Sequence, residues 1–335
     1  MQLQFSFIIP VYNRPDEIQE LLQSFDLLET NLPYEIVIVE DGSTKSSKIV
    51  VNSFEGKLNI SYFFKENSGP GDSRNFGMQK AKGNYFIILD SDCILPKHYL
   101  NEVEKSLKAD YVDCFGGPDT ANQSFTNLQK AINFSMTSFI TTGGIRGKKS
   151  SIDKFQPRSF NMGLSKKAFE TSEGFGRIHP GEDPDLSIRL WNLGFKTKLI
   201  PEAYVYHKRR ISWKTFYKQV NKFGLVRPIL NKWHPETKKI TYWFPTVFSI
   251  GLSVSILLFF IGFKWLFFIY ILYFLVAFVM ALISTKSLGV SILSLMAILV
   301  QFLGYGYGFL KSTFAVSVLN KEPELYFPQL FFKSK

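Results

Sequence analysis

Along the amino-terminal part of the chain, short apolar runs alternate with segments whose apolar residues recur at helical spacing. Such runs, bounded by polar turn residues, indicate buried strands, and the helical spacing indicates amphipathic helices. The predicted strands are Phe5–Pro10, Glu35–Val39, Ile60–Lys65 and Tyr85–Leu89, and the predicted helices are Asp16–Leu28 and Ser73–Ala81. Strands and helices in alternation form parallel sheets through right-handed crossovers. We therefore predict an α/β fold with a Rossmann-type, mostly parallel sheet flanked by helices.

The pattern changes from Thr241 to Val318, where the only charged residues are Lys264, Lys286 and Lys311. A bilayer core requires about 20 apolar residues per helix. Three segments, about 243–262, 265–283 and 288–310, meet that length. A buried soluble core would need polar faces at helical spacing, and these segments scarcely have them. We predict a carboxy-terminal transmembrane region over 241–318, followed by a tail over 319–335.

Positive charge is concentrated directly before this region. The chain has a net charge of +11, and ten basic residues but one acid, Glu236, lie between Lys208 and Lys239. Lys214, Lys218 and Lys222 follow one another at helical spacing beside an apolar face. This pattern over 208–240 is typical of an interfacial helix on anionic lipid. A solvated basic face and a nucleic-acid patch are the alternatives; the adjacent apolar segments favour membrane lipid, with no nucleic acid as partner.

Several features bear on location. The first residues, Met1–Pro10, lack the basic region and cleavage site of a signal peptide. Two cysteines, Cys93 and Cys114, are too few for a disulfide framework and suit a reducing compartment. We expect a multi-pass protein of the cell membrane whose soluble part is cytoplasmic. Three crossings would then place Lys321–Lys335 outside, although its lysines favour the inside, so one apolar segment that lies flat or re-enters is the alternative.

Three carboxylates fall within the start of a predicted helix at Gly181–Trp191. Pro184 fits a first helical turn, and Asp183 is expected at the N-cap. A carboxylate held rigidly at a helix start can act as a general base. A plain helix cap is the alternative for Asp183.

Polar residues also follow the predicted strands. Asp90 and Asp92 close an apolar strand and could hold Mg²⁺ or Mn²⁺ together with a diphosphate, unless they are ordinary turn acids. Asp41 ends another strand. It could contact a nucleoside or form an Asx-turn, and both interpretations stay open. Arg74 begins a helix after a glycine-rich loop and could steady phosphate or sugar groups. The loop lacks the Walker lysine and the dinucleotide glycine spacing, which argues against those two classes.

Five motifs in this order carry a resemblance: Ile9–Arg14, Val39–Ser43, Arg74–Gly77, Asp90–Asp92 and Glu182–Asp183. Over residues 1–225 the chain resembles the family 2 glycosyltransferases of the GT-A fold. The resemblance implies a nucleotide pocket, a metal site that also meets the diphosphate, and a catalytic base with an acidic neighbour. The implied residues are, in that order, Pro10, Tyr12, Arg14, Asp41 and Arg74; Asp90, Asp92 and His207; and Asp183 with Glu182.

The resemblance implies a metal-dependent, inverting transfer of one sugar from a nucleotide-diphosphate sugar to an acceptor hydroxyl. The expected acceptor is a lipid-linked saccharide or glycolipid used in the assembly of cell-surface polysaccharide. Processive family members carry a Gln-x-x-Arg-Trp motif after the base, and the region from Lys208 to Arg227 lacks it. We therefore expect a single transfer and no polymerisation.

Two alternatives remain open at this point. A polyprenyl-phosphate glycosyltransferase would use an ionised lipid phosphate as nucleophile and would not need Asp183 as base. A membrane-anchored protein that binds nucleotide sugars without turnover would tolerate the loss of Asp183. A hydrolase with two carboxylates is a weaker third alternative, because it leaves the polar strand ends unexplained.

Overall fold

The computed structural model describes residues 2–120, 125–142, 155–207 and 212–332. Its contacts divide the chain into two compact units. The sheet unit comprises Met1–Asn122, Ser150–Lys208 and Phe331–Lys335, and the helical unit comprises Gln123–Lys149 and Arg209–Leu330. Helix α9 (Trp213–Trp233) runs through residue 225, and the domain boundaries derived from the sequence stay predictions.

The sheet unit contains a seven-stranded sheet of order β3-β2-β1-β4-β8-β6-β9 and a three-stranded sheet of order β5-β10-β7. Strands β3, β2, β1 and β4 are parallel neighbours, whereas β8 is antiparallel to both β4 and β6. The predicted α/β fold with a mostly parallel sheet is therefore confirmed. The strands are β1 Phe5–Val11, β2 Tyr34–Asp41, β3 Ile60–Lys65, β4 Tyr85–Leu89, β5 Cys93–Ile94, β6 Cys114–Gly116, β7 Asp119–Thr120, β8 Asn161–Ser165, β9 Thr197–Leu199 and β10 Val205–His207.

Helices cover both faces of the large sheet. Because side chains alternate along a strand, Phe7 and Ile9 of β1 pack in one core cluster with Leu21 of α1, while Ile8 joins Leu186 of α8 in a second cluster. The helices are α1 Pro15–Asp26, α2 Lys48–Asn52, α3 Pro70–Lys80, α4 Tyr99–Ala109, α5 Asn127–Thr137, α6 Phe139–Thr142, α7 Lys166–Ser172, α8 Glu182–Asn192, α9 Trp213–Trp233, α10 Phe244–Phe260, α11 Trp265–Thr285, α12 Leu288–Thr313 and α13 Pro323–Tyr326. Short 3-10 helices cover Pro235–Thr237, Ile240–Trp243 and Pro328–Leu330, and a π-helical turn covers Phe314–Val318.

The start of α8 differs from the prediction. The N-cap is Gly181, with φ of 123°, and both Glu182 and Asp183 lie inside the first turn. The expectation that Asp183 caps the helix is therefore wrong. Glycine adopts this positive φ without the strain that a side chain would bring. The helix therefore begins at Glu182, one residue before Asp183.

In the helical unit, three helices are long and apolar enough to cross a membrane. The third of these apolar segments, α12 and the π-turn after it, packs closely along α9. A Cβ at Gly224 would collide with the carbonyl oxygen of Tyr305, and one at Gly308 with that of Asn221. The Asn221 amide also donates a hydrogen bond of 2.9 Å to the carbonyl of Gly304. Small residues thus bring the backbones of α9 and α12 into contact.

Candidate active site

The functional side chains meet at the carboxyl edge of the parallel strands. In the register of the sheet, Pro10 of β1 pairs with Val39 of β2, so the motifs that follow these strands emerge side by side. Strand β4, on the other side of β1, ends at Leu89, directly before Asp90. Ligands of open α/β sheets bind outside this edge.

Arg74, in the second turn of α3, joins two of the predicted groups. Its side chain is 4% exposed, and it donates hydrogen bonds to Asp90 Oδ1 at 2.8 Å and to Glu182 Oε1 at 3.2 Å. Its guanidinium also lies 5.3 Å from the ring centroid of Phe175. Burial opposes the charge of Arg74, but the carboxylates outweigh burial and raise its pKa. The structure therefore brings Arg74, Asp90 and Glu182 into one buried network.

Glu182 is the buried acceptor of this network. Its Oε1 also lies 2.9 Å from Nδ1 of His179. Burial alone would raise the pKa of Glu182, but His179 and Arg74 outweigh it and lower the pKa to about 2. Glu182 is therefore ionised in any physiological buffer. The sequence analysis did not identify His179, although its position three residues before Glu182 was an available signal.

Asp183 has the opposite electrostatic environment. Burial, followed by the negative charge of Glu182, raises the pKa of Asp183, while Arg74, Arg158 and a hydrogen bond from Ser159 lower it less. Its Oδ1 is buried and has no hydrogen-bond partner among the described residues. Two adjacent carboxyl groups whose pKa values are driven apart are typical of an acid–base site. A free carboxylate oxygen of raised basicity is suited to accept a proton.

The predicted metal ligands lie at the end of β4. Asp90 contacts Arg74, and Asp92 Oδ2 accepts a hydrogen bond of 3.1 Å from Nη1 of Arg14, which also pairs with Glu17 at 2.7 Å. Within the described parts of the chain, no group of three metal-ligating side chains is found. The available oxygens are carboxylates, the donors that Mg²⁺ and Mn²⁺ prefer. The carboxylate oxygens of Asp90 and Asp92 thus fit a hard cation.

His207 lies in β10, and its backbone pairs with Cys93, the residue after Asp92. Its side chain lies outside what the structure describes. Its predicted role as a metal ligand stays a prediction, and the register places its strand directly beside the two carboxylates.

Besides the buried Arg74, the predicted nucleotide pocket has one buried member and several more exposed ones. Asp41 is 4% exposed and accepts hydrogen bonds from Nζ of Lys65 at 2.7 Å and from the amides of Ser68 and Gly69, each at 2.9 Å. Asp41 thereby ties the end of β2 to the start of α3. Tyr12 is half-exposed at the same edge. The roles of Pro10, Tyr12, Arg14 and Asp41 toward a nucleotide stay predictions.

Comparison with known proteins supports this architecture. Residues 6–171 match the family model of glycosyl transferase family 2. An uncharacterized glycosyltransferase of Rickettsia felis is 39% identical over 103 residues, which are 31% of this chain and 16% of that protein. The poly(ribitol-phosphate) beta-N-acetylglucosaminyltransferase TarS of Staphylococcus aureus is 34% identical over 105 residues, 30% of this chain and 18% of that protein. Both matches span less than a fifth of the relative's length.

The mannosyltransferase PcManGT from Pyrobaculum calidifontis, solved with GDP-Man and Mn²⁺, has the same fold. Its TM-score is 0.56 at 14% identity, and the alignment covers 96% of this chain and 89% of that one. The mostly parallel sheet with its flanking helices is the GT-A fold of glycosyltransferases. Over residues 6–171, about half of its length, the chain matches glycosyl transferase family 2.

Proposed function

We propose that this protein transfers one sugar from a nucleotide-diphosphate sugar to an acceptor hydroxyl with inversion at the anomeric carbon. One observation carries the proposal. Arg74 links Glu182, the neighbour of Asp183, to Asp90 at the end of β4. A base and a diphosphate site held by the same buried arginine are the two parts that a displacement at an anomeric carbon needs. The nucleotide sugar in the relative from Pyrobaculum calidifontis supports this donor class.

In this mechanism Asp183 takes the proton of the acceptor hydroxyl as that oxygen attacks the anomeric carbon. Its free Oδ1 is the accepting atom, and Ser159 orients the carboxyl group. Glu182 stays ionised and fixes Arg74 beside Asp90. Positioning of donor and base in one rigid network supplies a further part of the rate.

Asp90 and Asp92, with His207 as the predicted third ligand, would hold a divalent cation against the donor diphosphate. When bound, the cation neutralises the charge that develops on the departing nucleoside diphosphate. Mn²⁺ in the solved relative supports this assignment. Arg74 and Arg14 lie against these two carboxylates and orient them.

The rate should depend on pH through Asp183. The base acts only when ionised, and its pKa is raised by burial and by the charge of Glu182. We therefore expect kcat/KM to fall as the pH is lowered, with a one-proton slope, at a pH above the usual range of an aspartate near 3.9. Measurement of kcat/KM from about pH 4.5 to 8 checks this expectation. The same rate and the same pH profile in Asp183→Asn would show that Asp183 is not the base.

The acceptor is proposed to be a lipid-linked saccharide or glycolipid, because the apolar helices and basic α9 keep the enzyme at the membrane. The test is a nucleotide-sugar panel with full-length protein in detergent, Mg²⁺ or Mn²⁺, a membrane-lipid extract and an Asp183→Asn control. Release of nucleoside diphosphate that the control abolishes, with the sugar on a hydroxyl, supports the proposal. Equal release by the control, with the sugar on polyprenyl phosphate, favours the alternative transferase. Binding of donors without release by either protein favours the non-catalytic alternative.

We also propose that the apolar region crosses the membrane an even number of times. Lys232 of α9 precedes the three apolar helices and Glu322 follows them, yet their side chains lie 3.9 Å apart. Further on, the amide of Phe332 donates to the carbonyl of Arg177 in the sheet unit. These contacts favour the alternative in which one apolar segment lies flat or re-enters, so that the chain leaves and returns on one side of the membrane.

In the proposed arrangement α10 and α11 form the crossing hairpin, and α12 stays on the side of α9. Helix α12 contacts basic α9 and the Lys130-containing helix α5, with Ala297 buried against Phe216 and Ile132. The turn between α10 and α11 instead exposes large apolar residues such as Phe260 and Trp265. The run of basic residues in and after α9 favours a cytoplasmic position of the sheet unit.

Single cysteines test this topology, since Cys93 and Cys114 are buried and should not react. We expect a membrane-impermeant maleimide to label Lys264→Cys, in the hairpin turn, on intact cells. Lys321→Cys should be labelled only after lysis. Labelling of Lys321→Cys on intact cells would mean an odd number of crossings and would overturn the arrangement.

A further inference from the structure

The segment that follows the last helices returns to the sheet unit and touches the loop before α8. Phe331 forms an antiparallel bridge with Ile178. The amide of Phe332 donates a hydrogen bond of 3.1 Å to the carbonyl of Arg177. The loop Arg177–Gly181 has no strand or helix of its own apart from this bridge, so the bridge and its hydrogen bond are an important restraint on the loop.

The side chain of Phe332 reaches two parts of the active site. Its ring lies 5.9 Å from the imidazole of His179, centroid to centroid, at an interplanar angle of 50°. On the other side it lies against the backbone of Gly69, where a Cβ would collide with the ring. Gly69 precedes α3, the helix of Arg74, and its amide binds Asp41. Phe332 therefore fills the space between the loop of His179 and the start of α3.

The contacts continue from this ring to the proposed base. His179 binds Glu182, Glu182 binds Arg74, and Asp183 follows Glu182 in the same helical turn. Because Glu182 lies directly beside Asp183 and contributes to its raised pKa, a displaced His179 alters the placement and the basicity of the base. A displacement of about 1 Å at a catalytic centre can cost roughly 10²-fold in rate.

We propose that Phe332 is a positioning residue for the transferase reaction: it packs on His179 and Gly69 and holds the loop Arg177–Gly181 so that Asp183 meets the acceptor. This inference rests on the proposed function, in which Asp183 is the base. Phe332 follows the three apolar helices in the sequence and lies outside the five motifs that carry the resemblance. It makes the segment after the membrane region part of the enzyme's catalytic unit.

The test compares Phe332→Ala and Phe332→Leu with Phe64→Ala in the full-length protein. Phe64 is a phenylalanine on edge strand β3 that is 59% exposed and serves as the matched control. We expect Phe332→Ala to lower kcat about tenfold while KM for the donor stays within about twofold of wild type. Phe332→Leu, which keeps apolar contact, should recover most of the loss, and Phe64→Ala should behave as wild type.

Hydrogen–deuterium exchange gives a readout that does not depend on turnover. In Phe332→Ala, peptides covering 175–182 should exchange faster, with β1 and β4 unchanged. An unchanged kcat, an equal loss in Phe64→Ala, or unchanged exchange over 175–182 would each overturn the inference. If wild type itself transfers no sugar from any donor, the proposed function fails, whereas faster exchange over 175–182 would still establish the structural restraint.

Discussion

Replacement of Asp183 by asparagine should abolish sugar transfer and, at neutral pH, make the protein more stable. The amide cannot take the proton of the acceptor hydroxyl, and loss of a general base typically costs roughly 10²–10⁴-fold in rate. The variant keeps the size of the side chain and an oxygen that can accept from Ser159. Its kcat is therefore expected to fall by that factor, while binding of the donor, measured by calorimetry, should be retained.

The gain in stability follows from the direction of the pKa shift. The folded protein raises the pKa of Asp183 above its unfolded value, so ionisation of this carboxyl group disfavours the folded state. Wild type consequently loses stability as the pH rises from the unfolded pKa through the folded pKa. The difference between the variant and wild type should be largest above the folded pKa and vanish below the unfolded pKa. Thermal unfolding in detergent at several pH values measures it.

Asp185→Asn is the matched control on the same helix. Asp185 pairs with Arg189 at 2.9 Å, and the proposed mechanism gives it no role in proton transfer. We expect this variant to lose stability and to keep kcat within about tenfold of wild type. Full activity in Asp183→Asn would contradict the base-assisted mechanism, and lower stability of Asp183→Asn at neutral pH would contradict the pKa direction.

Replacement of Arg74 by methionine should have the largest effect on folding. The guanidinium is 4% exposed and neutralises Glu182, which is itself 5% exposed. Removal of Arg74 leaves the buried carboxylate of Glu182 with His179 alone, and removal of one partner costs about 3–5 kcal/mol in other buried pairs. Chemical denaturation in a mild detergent tests this figure. Activity should also fall by roughly 10²-fold, because Asp90 and the base lose their common support.

Arg74→Lys separates charge from geometry. Lysine keeps the positive charge but cannot contact Asp90 and Glu182 through a planar fork. We expect it to recover part of the stability and little of the rate. The pH profile of Arg74→Met should also move to higher pH, because the positive charge of Arg74 lowers the pKa of Asp183.

An exposed ion pair provides the control for Arg74. Lys97 and Glu29 lie 3.0 Å apart with side chains 60% and 52% exposed. Lys97→Met should leave the free energy of unfolding unchanged, since solvent screens such pairs. Equal losses of stability in Lys97→Met and Arg74→Met would show that the buried network contributes no more to stability than an exposed ion pair.

The sequence predicted the sheet well because its signals are local. Four apolar runs and their polar ends identified β1 to β4 within one or two residues. The order of strands and helices was sufficient to predict a parallel sheet, since the right-handed crossover rule leaves few alternative topologies. The antiparallel strand β8 and the short strands β5, β6, β7, β9 and β10 were not predicted, because they are only two to five residues long and pair with distant segments.

Local signals also account for those predicted site residues that the structure brings together. Asp90, Asp92, Asp183 and Arg74 stand out as polar residues beside apolar elements, and the structure brings Arg74 against Asp90 and Glu182. The N-cap was misplaced because Asp is a common cap, whereas Gly181 takes the positive φ that the preceding loop requires.

The sequence by itself determined the class of fold, the apolar helices, the basic segment and the types of residue at the strand ends. These follow from periodicity, composition and motif order, which act over a few residues. Only the tertiary structure decided that Glu182 pairs with His179 and Arg74, and that Phe332 returns to the loop of His179. It also decided that one oxygen of Asp183 receives no hydrogen bond from the residues that the structure describes. Such contacts join residues up to about 260 positions apart, and their electrostatics depend on burial, which no local pattern specifies.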